Sequence, residues 1–200
     1  MGDFAYMVTF LQTDPLFVIN LEKPEKPFVA GELKLPGFSA YLHPVGAGLM
    51  LGVGFGEDEA GLDGSAKISL FDVSVPEKPV ELDSLSLENS YFDSYYKAFV
   101  SVSNGSFILP FEKIPPAQSD GGVYSSQSEY CCGSLRFAVS DKKLSLLNEY
   151  AEAAPDSGGV RALYIGGTVY NISPAGHISA FDMESGELLF SGEAGDCSDR

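Results

Sequence analysis

The chain has 200 residues, 44% of them hydrophobic and 20% charged, enough for one domain with a real core and too apolar for a disordered segment. Its 28 acidic and 12 basic side chains give a formal charge of −16 at pH 7, which repels phosphate backbones and anionic lipid and excludes nucleic acid as an expected partner. No apolar run reaches the roughly 20 residues that span a bilayer, so membrane insertion is not expected, and Met1-Gly2-Asp3-Phe4 lacks the basic and apolar regions of a signal peptide.

Residues 5 to 11, AYMVTFL, open on strand-like sequence at once, which suggests a piece of a longer protein. LFVINL (16 to 21) follows, then the turn Pro24-Glu25-Lys26-Pro27, then FVAGELKL (28 to 35). The second group is SAYLHPVG (39 to 46), LMLGVGF (49 to 55), AKISLFDVS (66 to 74), a second Pro76-Glu77-Lys78-Pro79, and VELDSLSL (80 to 87). Pro76 follows Pro24 by 52 residues, and Ile19-Asn20-Leu21 aligns with Phe71-Asp72-Val73 at the same spacing. A third group holds KAFVSVS (97 to 103), SFILPFEK (106 to 113), a polar insert, LRFAVSD (135 to 141) and LSLLNEY (144 to 150). The fourth is VRALYIGG (160 to 167), TVYNISP (168 to 174), HISAFDM (177 to 183) and ELLFSGE (187 to 193).

Runs rich in Val, Ile, Leu, Phe and Tyr between Gly and Pro turns read as hairpin meanders. Only 145 to 154 contains good helix formers, but it occupies a fourth-strand place in its group and Pro155 stops it, so strand is expected there. The fold expected is all-β, a β-propeller-like array of about four four-stranded antiparallel blades in a single domain over 1–200. The blades cover approximately 4–35, 39–87, 97–150 and 160–193. A lone four-stranded sheet cannot bury both apolar faces, so neighbours must stack on it. The array is expected to be part of a larger propeller, with a homodimer as one way to complete a larger ring.

Specific pieces sharpen this: Asp14-Pro15 before a strand, Pro36-Gly37-Phe38-Ser39 with Tyr41-Leu42-His43-Pro44, and Ser69-Leu70-Phe71-Asp72-Val73-Ser74. With them the chain resembles the secreted β-propeller-domain family of bacteria and archaea, itself distantly similar to WD-type repeats, over about residues 4 to 110 and in outline beyond. The resemblance implies an extracellular or cell-surface protein, longer than this chain, without an assigned activity. Asn20 stands where the family pattern favours aspartate, and Val75 follows Ser74; both departures bear on a shared metal role for those positions, not on the strand and turn.

The candidate sites are few. His43 and His177 are the only histidines and fall in different groups, too thin a supply for a zinc site or triad, and His43 in its Leu-His-Pro setting is read as a structural hydrogen-bonding residue. Glu57, Asp58 and Asp63 in a Gly-flanked insert offer hard oxygen ligands of the kind calcium takes, but in no EF-hand order; a solvated loop is the plainer reading, and no cofactor is expected beyond a possible calcium ion. Asp14, Asp72, Asp141 and Asp182 recur near strand ends, where aspartate caps turns. Tyr91, Tyr95, Tyr96 and Tyr124, with Phe92, could line a peptide or sugar groove. Cys131, Cys132 and Cys197 are too few for a disulfide scaffold and read as free or incidental thiols. The functional expectation is a non-catalytic extracellular or surface module that binds a protein or glycan partner, with the insert 114–130 as the most variable contact loop. The alternative is a metal-assisted propeller hydrolase or lyase using Glu57, Asp58, Asp63 and His43.

Overall fold

The structure, a computed structural model, describes residues 2–9, 15–34, 37–46, 48–57, 63–92, 98–102, 105–113, 131–153 and 159–194. Among these there is no α-helix; they form four antiparallel sheets of three, four, five and four strands, as the turn-rich sequence predicts. Two compact units result: Met1–Glu88 with Val139–Ser145, and Asn89–Ala138 with Leu146–Arg200.

In the first unit, strands β1 (Phe4–Val8), β2 (Leu16–Asn20) and β3 (Phe28–Leu33) pair in that order. A second sheet follows with β4 (Phe38–Gly46), β5 (Leu49–Glu57), β6 (Asp63–Asp72) and β7 (Val80–Leu87), also in sequence order. Alternation decides which side chains enter the core: Leu16 and Val18 are fully buried while Phe17 between them and Ile19 after them are half-buried. Leu16, Met50, Phe71 and Val73 form one core cluster, with Tyr6, Val8, Leu33 and Leu42 packed around it. In β6 alternation gives way to continuous burial, with Ile68, Leu70 and Phe71 fully inaccessible, because this strand is covered on both faces.

The second unit holds a five-stranded sheet and a four-stranded one. The first contains β8 (Ser90–Phe92), β9 (Val100–Val102), β10 (Ser106–Lys113), β11 (Cys131–Ser140) and β12 (Lys143–Ala153), the β11–β12 tip belonging to the first unit. Its order is β12-β11-β10-β8, with β9 also on β10. β9 pairs with residues 106 to 108 and β8 with 111 to 113 of β10. The break falls at Leu109-Pro110, where proline has no N–H to give a ladder, so a proline is tolerated inside a buried strand. β12 runs through the stretch of helix formers as a strand. The last sheet is β13 (Arg161–Ile165), β14 (Thr168–Ile172), β15 (His177–Asp182) and β16 (Leu188–Glu193) in order. Tyr150, Ala162, Val169, Phe181 and Met183 share one core with Val102 and Ile108.

The spacing of 52 residues holds down to single hydrogen bonds. Lys26 N–H donates to Lys23 O at 2.8 Å in the first Pro-Glu-Lys-Pro turn, and Lys78 N–H to Val75 O at 2.9 Å in the second. A register shift lies between Val18 and Ile19 in one sheet and between Leu70 and Phe71 in the other. The last sheet repeats the shift and the Asx position 110 residues on from the second: its shift falls between Ala180 and Phe181, and Asp182 stands where Asp72 does. In all three, the residue after the Asx position donates its N–H backwards, Leu21 to Asp3 O, Val73 to Gly48 O and Met183 to Gly167 O, at 2.7 to 2.9 Å. The β11–β12 corner differs. It is a two-residue hairpin turn with Asp141 at φ 51° and Lys142 at φ 60°, the left-handed pair that matches the twist of flanking strands.

Candidate functional site

The strand-end residues of the repeat serve the corners. Asn20 Oδ1 accepts the N–H of Glu22 at 2.9 Å, Asp72 Oδ1 that of Ser74 at 3.0 Å, and Asp182 Oδ1 those of Glu184 at 3.0 Å and Ser185 at 2.8 Å. Asp141 departs from this pattern because it sits inside the tight turn, with a left-handed backbone in place of an extended one. Asp14 lies outside the described residues.

Asp72 does a second thing. Its Oδ2 receives Lys142 Nζ at 2.8 Å, and Asp83 Oδ2 accepts the N–H of Leu144 at 2.8 Å, so two carboxylates of the second sheet hold the β11–β12 tip. The Lys142 ammonium, then the hydroxyl and N–H of Ser74, bring the Asp72 carboxyl down to about 2. The folded pKa is thus below the unfolded one, near 4, and the group's contribution to stability is present above about pH 4 and lost as pH falls through about 2. Lys142 is mostly exposed, which limits the pair to about 1 kcal/mol or less. Asp72→Asn is expected to lower stability at pH 7 by that amount, and chemical denaturation of both proteins should show the difference vanishing below about pH 2.

The two histidines part company. His43 is half-buried on β4, its Nδ1 2.9 Å from Tyr41 Oη, and burial lowers its pKa while raising that of Tyr41. The backbones of Glu57 and Asp63 face each other across β5 and β6; their side chains and all of Asp58 lie outside the described part. Tyr91 is an exposed residue of β8, but Phe92 next to it is buried, because successive side chains point to opposite faces. The sequence reading of Phe92 as an exposed aromatic is corrected accordingly. Tyr95, Tyr96, Tyr124, Cys197 and the insert 114–130 lie outside the described residues. Cys131 and Cys132 are on β11, the first half-buried with its thiol pKa pushed up by that burial, the second buried. Among the described residues no three His, Cys, Asp or Glu side chains are placed to hold a metal ion together.

His177 is the residue around which polar groups gather. It opens β15 after a turn in which Ser173 Oγ accepts the His177 N–H at 3.1 Å, and Glu193 on β16 lies directly opposite it in register. His177 Nδ1 is 3.4 Å from Glu193 Oε1, while Nε2 is 3.1 Å from Ser191 Oγ and 3.4 Å from Glu152 Oε2. Ser191 Oγ is also 3.2 Å from Glu152 Oε2, so β12 contributes the fourth member. His177 and Glu152 are about three-quarters covered and Glu193 is largely open. With a neutral ring, Nδ1–H donates to Glu193 and Nε2 accepts the serine hydroxyl; with an imidazolium, both ring N–H groups donate and the hydroxyl turns to Glu152. The cluster thus sets Glu193, largely open, at one edge of the ring and the mostly covered Glu152 with the Ser191 hydroxyl at the other, an acceptor-rich surround for the imidazole.

The sequence reading notes His177 only as one of two scarce histidines and names none of its partners. Glu193 is accessible in principle, since the Asp182–Glu187 turn that joins β15 to β16 sets their register. Glu152 is not, because it comes from a different sheet.

A family model described as the beta propeller domain matches residues 1–186. An uncharacterized protein of Archaeoglobus fulgidus is 36% identical over 191 residues, covering 94% of this chain and 26% of that protein. One of Methanocaldococcus jannaschii is 47% identical over 102 residues, covering 50% of this chain and 16% of that protein. The chain thus spans about a quarter or less of the length of the curated relatives it matches. Two solved propellers share the fold: BamB from Moraxella catarrhalis, with a TM-score of 0.51 at 11% identity over 96% of this chain and 50% of that one, and Saccharomyces cerevisiae Sqt1, with a TM-score of 0.51 at 11% identity over 92% and 45%. With repeated sheets, repeated corners and this match in hand, the chain belongs to the beta propeller domain family.

Proposed function

We propose that the chain is a protein-recognition module, acting at the cell surface or outside the cell, that engages a lysine or arginine side chain of its partner at the His177 cluster. A propeller fold supplies a rigid scaffold for binding surfaces. The observation that carries the finer reading is the convergence of Glu152, Ser191 and Glu193 on His177, with the Glu193 carboxylate largely open. A guanidinium or ammonium would pair with the open Glu193 carboxylate, and the chain's charge of −16 steers cationic partners toward it. Extracellular placement rests on the family resemblance alone.

Hexalysine is the simplest probe. Its titration should move the ring resonances of His177, and Glu152→Gln with Glu193→Gln should weaken that response about tenfold or more, given roughly 1 to 3 kcal/mol per charge-assisted bond. Unmoved His177 resonances, or equal binding by the double variant, would show the reading to be wrong.

One observation favours a second reading. Ser191 Oγ, His177 Nε2 and Nδ1, and Glu193 form a relay with the donor order of a serine hydrolase. Against it, Glu152 competes with Nε2 for the single hydroxyl proton. A burst of p-nitrophenolate from p-nitrophenyl acetate, with the acetyl group retained on Ser191, would favour that reading over recognition.

A further inference from the structure

The His177 ring is held between two sheets of one unit. It stands on the face of the last sheet that packs against β12: Asn171, on the same face, donates Nδ2–H to Tyr150 O at 2.8 Å, and Glu152, two residues along β12, reaches to 3.4 Å from Nε2. Among the described residues the charged groups that face the ring are Glu152 from β12 and Glu193 from β16. Glu149, also on β12, lies an odd number of residues from Glu152 and is paired with Lys113. Arg161 on β13 is in register with Ile172 and, through it, with Ile178, which alternate to the other face. The ring is thus the cluster's own source of positive charge.

Two carboxylates around one titratable ring give the site two charge states. With a neutral ring the pair carries two negative charges, Nε2 accepts the Ser191 hydroxyl, and Glu193, its side chain 68% exposed, meets solvent and any approaching cation. With an imidazolium, a cation sits 3.4 Å from each carboxylate, and the hydroxyl turns to Glu152. A lysine or arginine arriving at Glu193 then meets a like charge across the same carboxylate. The ring is already in place, so it neutralises Glu193 without the entropy cost that an associating partner bears.

We propose that protonation of His177 releases the partner, the imidazolium neutralising Glu193 from within and repelling the partner's cation. This rests on the recognition reading given above and adds its regulation. Binding favours the deprotonated ring, so affinity rises with pH across the range of about 5 to 8 where histidines change charge, while carboxylates as a class titrate near pH ~4. Linkage makes the effect reciprocal: a bound partner makes the ring harder to protonate by the same factor that protonation weakens the partner.

Hexalysine is again the probe, its affinity measured by calorimetry at about pH 8 and about pH 5.5, either side of the histidine range. The affinity should fall roughly fivefold between them, the scale of one like-charge contact near a solvated surface. In parallel, saturating hexalysine should lower the titration midpoint of the His177 ring resonances by about 0.7 of a pH unit, the same factor read from the other side. His43, on a different sheet, serves as the reference and should not move. His177→Gln should remove the pH dependence of binding. Equal affinity at both pH values overturns the switch and leaves recognition standing, as does a midpoint that hexalysine leaves in place or moves equally for both histidines. A pH dependence that survives His177→Gln in a variant shown folded by circular dichroism overturns it as well. No binding at either pH sinks the recognition reading, and the switch with it.

Discussion

Replacing Tyr150 by alanine is expected to cost about 3 to 5 kcal/mol, the range for removing a buried aromatic from a packed core. Tyr150 is fully buried on β12, its ring centroid 5.8 Å from that of Phe181, and its hydroxyl donates to Met183 O at 2.6 Å. The same carbonyl accepts Asn148 Nδ2 at 2.8 Å and Arg136 Nη1 at 3.3 Å, and Arg136 continues to Glu184 Oε1 at 2.9 Å. The Tyr150 carbonyl in turn takes Asn171 Nδ2 at 2.8 Å, and Asn171 Oδ1 takes Ser134 Oγ at 2.7 Å. Tyr150→Phe keeps the ring and removes only the hydroxyl. Since Met183 O retains two donors, that variant should lose about 1 kcal/mol. Urea midpoints of the two variants separate the cavity from the hydrogen bond. Equal losses would mean that packing against Phe181 matters little.

Gly31→Ala is the second large effect. A methyl group there would collide with the Pro76 carbonyl and lie 3.0 Å from Pro79 Cδ, and backbone at a packed corner has little room to give. The cost should be about 1 to 3 kcal/mol, the usual range for overpacking, read as a lower urea midpoint. The glycine also explains why the corner can dock closely enough to bury Pro79. A second-site change to relieve the clash, Pro76→Gly, should not rescue it, because the colliding atom is a backbone oxygen that every residue carries. Gly192→Ala makes a useful comparison: its new methyl group would meet the end of the Phe190 ring at 3.1 Å, and that exposed side chain can swing away. Its loss should be well under that of Gly31→Ala.

Much of the architecture was readable before any coordinates. The Pro-Glu-Lys-Pro pair, the aligned Asn20 and Asp72, and the turn pairs marked hairpins, and the structure places each in the same corner. β8 went unread because three residues, Ser90 to Phe92, are too short for periodicity to register. Asp141 was grouped with Asp72 and Asp182 by its position late in a strand, yet the single step to Lys142 makes it part of a tight turn. No member of the His177 cluster is marked as a site by the sequence, because its groups come from separate strands and from two sheets.

The sequence by itself determined the strands, their antiparallel hairpins and the all-β class, because alternation and turn chemistry act over neighbouring residues. Only the tertiary structure decided which corner meets which outer strand, why Gly31 must lack a side chain, and how Glu152 reaches His177 and Ser191. Those contacts join residues from different sheets. They are set by how sheets stack, and stacking leaves no periodic mark along the chain.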